Sequence, residues 1–211
     1  MPEIDKSIWA NHNISPEGGV SAELLMSQMQ TEPAKTIAPD QTFFSLIQDI
    51  QEISKTRLKN NFFREHSFEE GISKRIHRFQ SVTLEGFYLL CKEITRYVIE
   101  RLDTDLFKQL KKETENLGSL KRLENILTAL GYDGRQINGV LVGVYDLRMA
   151  DAHLPSDSKI ADSMRLAGIN YDEMRLHSGK RLIENVNHSL AQIKVALKEG
   201  DFDKLRKQPT T

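Results

Sequence analysis

Three reactive side chains, Arg148, Asp151 and His153, follow an apolar segment at 140–144. Apolar segments are usually core, and core positions rarely carry arginine, aspartate or histidine unless these groups are paired or used. Arginine is a permanent cation, and histidine titrates near neutral pH. Together they can bind a phosphate and move a proton beside it. The segment Tyr145–Ser156 is therefore the leading candidate for a functional site.

Cleavage of a phosphodiester in RNA suits this combination. A histidine can take a proton from the ribose 2′-hydroxyl or give one to the leaving 5′-oxygen, while an arginine stabilises charge on the phosphate. RNA supplies its own nucleophile, so we expect no metal and no other cofactor. On an unbroken helix His153 would point roughly 140° away from Arg148. Because Pro155 disfavours helix just before it, we expect the end to fray and His153 to approach Arg148.

Apolar residues at helical spacing predict an all-α fold that positions these side chains. Four main helices are predicted at about 82–102, 119–130, 137–153 and 171–198, and they could form a bundle around the apolar third one. Additional N-terminal helices are predicted from Asp40, a candidate cap, and after Ser67 and Glu70, a capping box ahead of residues 72–79.

The chain divides into three predicted regions. Residues 1–39 are polar and contain several Pro and Gly residues, which is typical of a linker or a loosely ordered arm. Residues 40–200 carry the helical patterns and form the predicted domain, and residues 201–211 are predicted to be a polar tail. An arm of this kind suggests either a tail that docks on a partner or a domain from the C-terminal part of a longer protein.

Composition excludes several classes of protein. The 211 residues include 29 Lys and Arg and 30 Asp and Glu, a formal net charge of −1, so any site for a polyanion must be a local patch. The single cysteine, Cys91, excludes an internal disulfide framework and fits a reducing cytoplasm. No apolar run approaches the ~20 residues that span a bilayer. We therefore expect a cytoplasmic protein without a membrane segment.

The site segment resembles the HEPN domain. The resemblance is carried by Arg148, four intervening residues and His153, preceded by Tyr145-Asp146-Leu147, together with the upstream phrase at 118–127. It covers about residues 80–198, with 40–80 as an added helical layer. It implies a homodimeric, metal-independent ribonuclease of a bacterial defence or toxin–antitoxin system, with RNA as substrate and an antitoxin as possible partner. It also implies that Arg148 binds the scissile phosphate and His153 is the general acid and base.

Other interpretations of the same residues stay open. Arg148, Asp151 and His153 could form a satisfied ion-pair network at a helix end. The chain would then be a helical interaction or dimerisation module without chemistry, which is favoured by Met149, where the family commonly has a polar residue.

A third interpretation rests on a basic run between residues 55 and 78 with interleaved phenylalanines, including Lys74, Arg75 and Arg78. Such a run could follow an RNA backbone, although a solvated helix face has the same composition.

Overall fold

The all-α class is confirmed by the structure, a computed structural model that describes residues 37–67, 69–111, 117–149, 156–170 and 175–207. In these ranges no β-strand occurs, and one isolated antiparallel bridge joins Phe63 to Leu102. The α-helices are α1 (Pro39–Leu58), α2 (Glu69–Ser73), α3 (Leu84–Ile94), α4 (Thr104–Leu110), α5 (Ser119–Ala129), α6 (Gly134–Leu147), α7 (Asp157–Leu166), α8 (Arg175–Glu199) and α9 (Phe202–Lys207). A 3-10 helix spans Arg78–Val82, and a π-helix spans Thr95–Ile99.

The start of α1 differs from the predicted one. Ala38 takes the extended conformation of a cap residue, and Pro39 occupies the first turn, where its fixed φ is favourable. Asp40 lies inside that turn and binds Arg78 at 3.0 Å instead of capping the helix. At the other end, Lys59 closes α1 with a left-handed φ of 59°.

The long helix α8 organises the core by packing along α1 and against the 3-10 helix, α3 and α6. Side chains on its inner face are fully buried, including Leu182, Val186 and Leu190. Helix α6 contacts α3, α5 and α7 as well as α8. The predicted arrangement of four main helices in a bundle is not confirmed, because α1 packs along α8 as part of the core.

One local prediction is wrong. The predicted helix at 72–79 is interrupted: α2 ends at Ser73, and the 3-10 helix begins only at Arg78. Within the predicted tail, Phe202–Lys207 form α9, whose Phe202 and Leu205 are buried in the core. Two apolar residues on one short helix are enough to dock it, here against α4.

Candidate functional site

Helix α6 carries Arg148 to the edge of the fold. The carboxylate of Asp133 caps its first turn by accepting from the amide of Gln136 at 2.9 Å. Leu141, Val144 and Leu147 are buried, so the helix is anchored along its length. Arg148 is the C-cap residue, directly after the last buried leucine, and its side chain is half-buried. The prediction that α6 would extend as helix to 153 is not met in the described residues, where the helix ends at Leu147.

The Arg148 guanidinium lies on the ring of Tyr145, 3.3 Å from its centroid. Its Nη1 also donates to the carbonyl oxygen of Tyr145 at 2.6 Å. A cation at this position is favoured by the negative end of the helix dipole and by the face of the aromatic ring. Within the described ranges, Arg148 contacts the ring and the carbonyl of Tyr145, and no carboxylate there forms an ion pair with it.

The other two predicted catalytic residues, Asp151 and His153, lie outside the described residues, as does Pro155. The approach of His153 to Arg148 therefore stays a prediction. Met149 is described and is 38% exposed beside Arg148.

The N-terminal part of α8 lies at the same end of the fold as this site. Ser189 Oγ donates to the carbonyl of Ile137, and Asn185 Nδ2 donates to the carbonyl of Ala167, whose backbone lies beside Gly143. Advancing along α6 thus means going back along α8, so the two helices are antiparallel. The C-terminal end of α6 and the N-terminal part of α8 consequently share one end of the fold, and His177 is exposed in that part of α8.

The three basic residues predicted to contact nucleic acid all form ion pairs. Lys74 binds Glu70 at 2.6 Å, and Arg78 binds Asp40. Arg75 binds the buried carboxylate of Glu93 at 3.1 Å, and Arg96 approaches the same carboxylate at 3.6 Å. A carboxylate therefore compensates the charge of each of these residues, which weakens its attraction for a further anion.

The phenylalanines between the basic residues are divided between the core and the surface. Phe62 and Phe63 are buried and pack edge to face, with ring centroids 5.0 Å apart. Phe79 is 56% exposed, and the Arg78 guanidinium lies over it at 4.7 Å. Of the interleaved aromatic residues, Phe79 alone therefore remains open to a base within the described ranges.

The described residues contain no group of three or more His, Cys, Asp or Glu side chains that could hold a metal ion. Within the same ranges, no helix has both the length and the apolar character needed to cross a membrane. No protein-family model matches the chain, and neither a curated protein nor a solved structure matches it. The HEPN resemblance therefore depends on residue types and spacing, with Arg148 as the member of the proposed pair whose surroundings are described.

Proposed function

We propose that this protein is a HEPN-like, metal-independent endoribonuclease in which Arg148 binds the scissile phosphate. The observation that carries the proposal is the setting of Arg148, which is stacked on Tyr145 at the edge of the fold and has no carboxylate partner in the described ranges. A positioned guanidinium with free N–H groups is suited to a phosphate because it can donate two parallel hydrogen bonds.

In this mechanism His153 transfers the protons. It takes the proton of the 2′-hydroxyl as the 2′-oxygen bonds to phosphorus, and the bond from phosphorus to the 5′-oxygen breaks. A protonated histidine returns a proton to the leaving 5′-oxygen. Asp151 assists by holding the charged groups in place. The products are a 2′,3′-cyclic phosphate and a 5′-hydroxyl, and Arg148 stabilises the charge that builds up on the phosphate oxygens.

The proposal extends to the setting of the enzyme. We place it in the cytoplasm as a homodimer of a bacterial defence or toxin-type system, with two copies of the 148–153 segment facing one cleft. An antitoxin or a larger protein would hold it inactive. These assignments come from the resemblance to the HEPN domain and from the low cysteine content.

The test is cleavage of labelled single-stranded RNA in the presence of EDTA. The unsubstituted protein should cut it, and His153→Ala and Arg148→Ala should each lower the rate by about 10²–10⁴-fold. His188→Ala and Arg165→Ala are matched controls, since both residues are exposed on other helices, and both variants should retain full activity. Cleavage that persists undiminished in His153→Ala contradicts the proposal.

The alternative is a helical interaction or RNA-binding module without chemistry. It is favoured by Met149, an exposed apolar residue where a polar one would help to orient a substrate. It predicts that RNA remains intact with every variant, while Arg148→Ala and Met149→Ala weaken self-association or RNA binding. Sedimentation of the same variants and a salt series of RNA binding distinguish the two outcomes.

A further inference from the structure

A cleft of about 640 Å³ lies between α1 and the chain around α2, and Arg148 is not among its described lining residues. One wall is a stripe of α1 that includes Phe44, Gln48 and Glu52, which are four residues apart and share one helix face. The floor includes Tyr97 and Arg101. Its volume falls in the range of about 300–1,000 Å³ that is typical of small-molecule sites.

Arg101 is the only cation buried in this cleft among the described lining residues, with a side chain 8% exposed. Its Nε donates to the carbonyl of Arg64 at 2.8 Å, and its Nη1 donates to the Glu69 carboxylate at 2.9 Å. The described hydrogen bonds leave Nη2 unused. A fixed guanidinium with a free N–H group at the floor of a cleft is a binding group for an anion.

Aromatic rings lie directly beside this cation. The Arg101 guanidinium is 4.9 Å from the centroid of Tyr97, whose ring meets Phe44 edge to face at 5.6 Å. The Tyr97 hydroxyl donates to Glu69 at 3.1 Å. Burial and the nearby Glu69 charge raise the pKa of Tyr97, so its hydroxyl remains a donor at neutral pH. The result is a pair of aromatic rings, at right angles to each other, next to a positive group.

The backbone that presents Tyr97 and Arg101 is unusual. The amide of Glu100 donates to the carbonyl of Thr95 at 2.9 Å, a bond over five residues within the π-helix Thr95–Ile99. The wider turn changes the direction in which the residues after it point. Single π-turns of this kind are rare and occur frequently at functional sites.

The charges of the cleft are arranged by depth. Glu52, Lys55, Glu65 and Lys74 are exposed, with two charges of each sign, so they balance. The Glu69 side chain is 42% exposed, whereas Arg101 is almost fully buried. The four outer charges are screened by water, so the Arg101–Glu69 pair is the main electrostatic feature of the floor, and an anion would contact the Nη2 edge of Arg101.

We propose that this cleft binds a small amphipathic anion whose carboxylate or phosphate group contacts Arg101 and whose planar aromatic body packs on Phe44 and Tyr97. The ligand would contact the guanidinium of Arg101 and the rings of Phe44 and Tyr97. The site is separate from Arg148 and does not depend on RNA cleavage, so either proposal can fail without the other.

The test is an amide-shift titration of the full chain by NMR with four probes. Benzoate and phenyl phosphate combine an aromatic ring with an anion, benzyl alcohol lacks the charge, and inorganic phosphate lacks the ring. We expect the two aromatic anions to shift amides of α1 and of residues 97–101, and the other two probes to bind at least about tenfold more weakly. The stronger of the two anions identifies carboxylate or phosphate as the preferred group. Equal binding of benzyl alcohol, or no shifts with either aromatic anion, overturns the proposal.

Variants locate the binding. Gln48→Trp places a large ring in the cleft from an exposed position on α1 and should abolish the shifts. Gln41→Trp is the matched control, because Gln41 is exposed on the same helix outside the cleft, and it should bind like the unsubstituted protein. Arg101→Gln should remove the preference for anions. If Arg101→Gln fails to fold, Gln48→Trp still tests whether the aromatic anions bind in this cleft. Undiminished binding by Gln48→Trp refutes the proposed site.

Discussion

Replacing Gly143 with alanine should destabilise the fold, because α6 lies very close to the end of α7 at this residue. A Cβ atom placed on Gly143 would be 2.6 Å from the amide nitrogen of Ala167 and 2.6 Å from the carbonyl oxygen of Ser163. It would also be 3.0 Å from Cβ of Leu166. Normal contact requires about 3.5 Å. Two of these neighbours are backbone atoms that cannot rotate away, so the helices must move apart.

The expected size of the effect follows from two opposing terms. Overpacking in a close-packed interior costs about 1–3 kcal/mol. Alanine is a better helix former than glycine by about 1 kcal/mol, which offsets part of that cost. The net loss for Gly143→Ala should be up to about 2 kcal/mol of the free energy of unfolding. At Gly139, in the preceding turn of α6, an added Cβ meets no described atom within 4 Å. Only the second term acts there, and Gly139→Ala should stabilise by about 0.5–1 kcal/mol.

The assay is urea denaturation of both variants followed by far-ultraviolet circular dichroism. The slope of the free energy of unfolding against urea concentration should be unchanged, so that the midpoints of the transitions report stability directly. The two midpoints should move in opposite directions. If Gly143→Ala is at least as stable as the unsubstituted protein, or if both variants lose stability equally, the close approach of α6 and α7 is refuted.

Three further predictions concern the core and the end of α8. Thr95→Val should raise the free energy of unfolding by about 1 kcal/mol, because the buried Thr95 hydroxyl has no hydrogen-bond partner in the described structure; a loss measured by denaturation would show that it is paired. Arg57→Ala should cost about 1 kcal/mol, since Nη1 of Arg57 donates to the carbonyls of Leu197 and Lys198; an unchanged melting temperature would contradict this. Burial raises the pKa of the Cys91 thiol, so a thiol reagent should modify it only after unfolding, up to about pH 9; modification of the native protein would disprove it.

The sequence predicted the helices best where apolar spacing is regular. The helix predicted at 119–130 is α5, Ser119–Ala129, and the one predicted from about Val82 corresponds to α3 and the π-helix that follows it. An apolar stripe is a local property, and burial of that stripe fixes the element. The π-helix itself was missed, because one extra residue in a single turn leaves no clear mark on an amphipathic pattern with apolar steps of one, three and four.

Prediction failed where a residue's role depends on contacts with residues far away in the sequence. Asp40 is a good cap residue, but Arg78, far along the chain, uses its carboxylate instead. The short segment from Phe202 looks polar because its few apolar residues become significant only against α4. In the same way, the cleft around Arg101 unites residues from 44 to 101. No spacing rule links such distant positions, so only a folded chain reveals them.

The ion pairs of Arg75 and Arg78 make Arg148 the stronger candidate for binding a phosphate. The charges of Arg75 and Arg78 are each compensated by a carboxylate, which weakens their attraction for a phosphate. Arg148 is held by a ring and a backbone carbonyl, which fix its position and leave its charge uncompensated by any described carboxylate. The near-zero net charge of the chain is therefore compatible with the proposed anion site, in which Tyr145 holds one guanidinium at the end of α6.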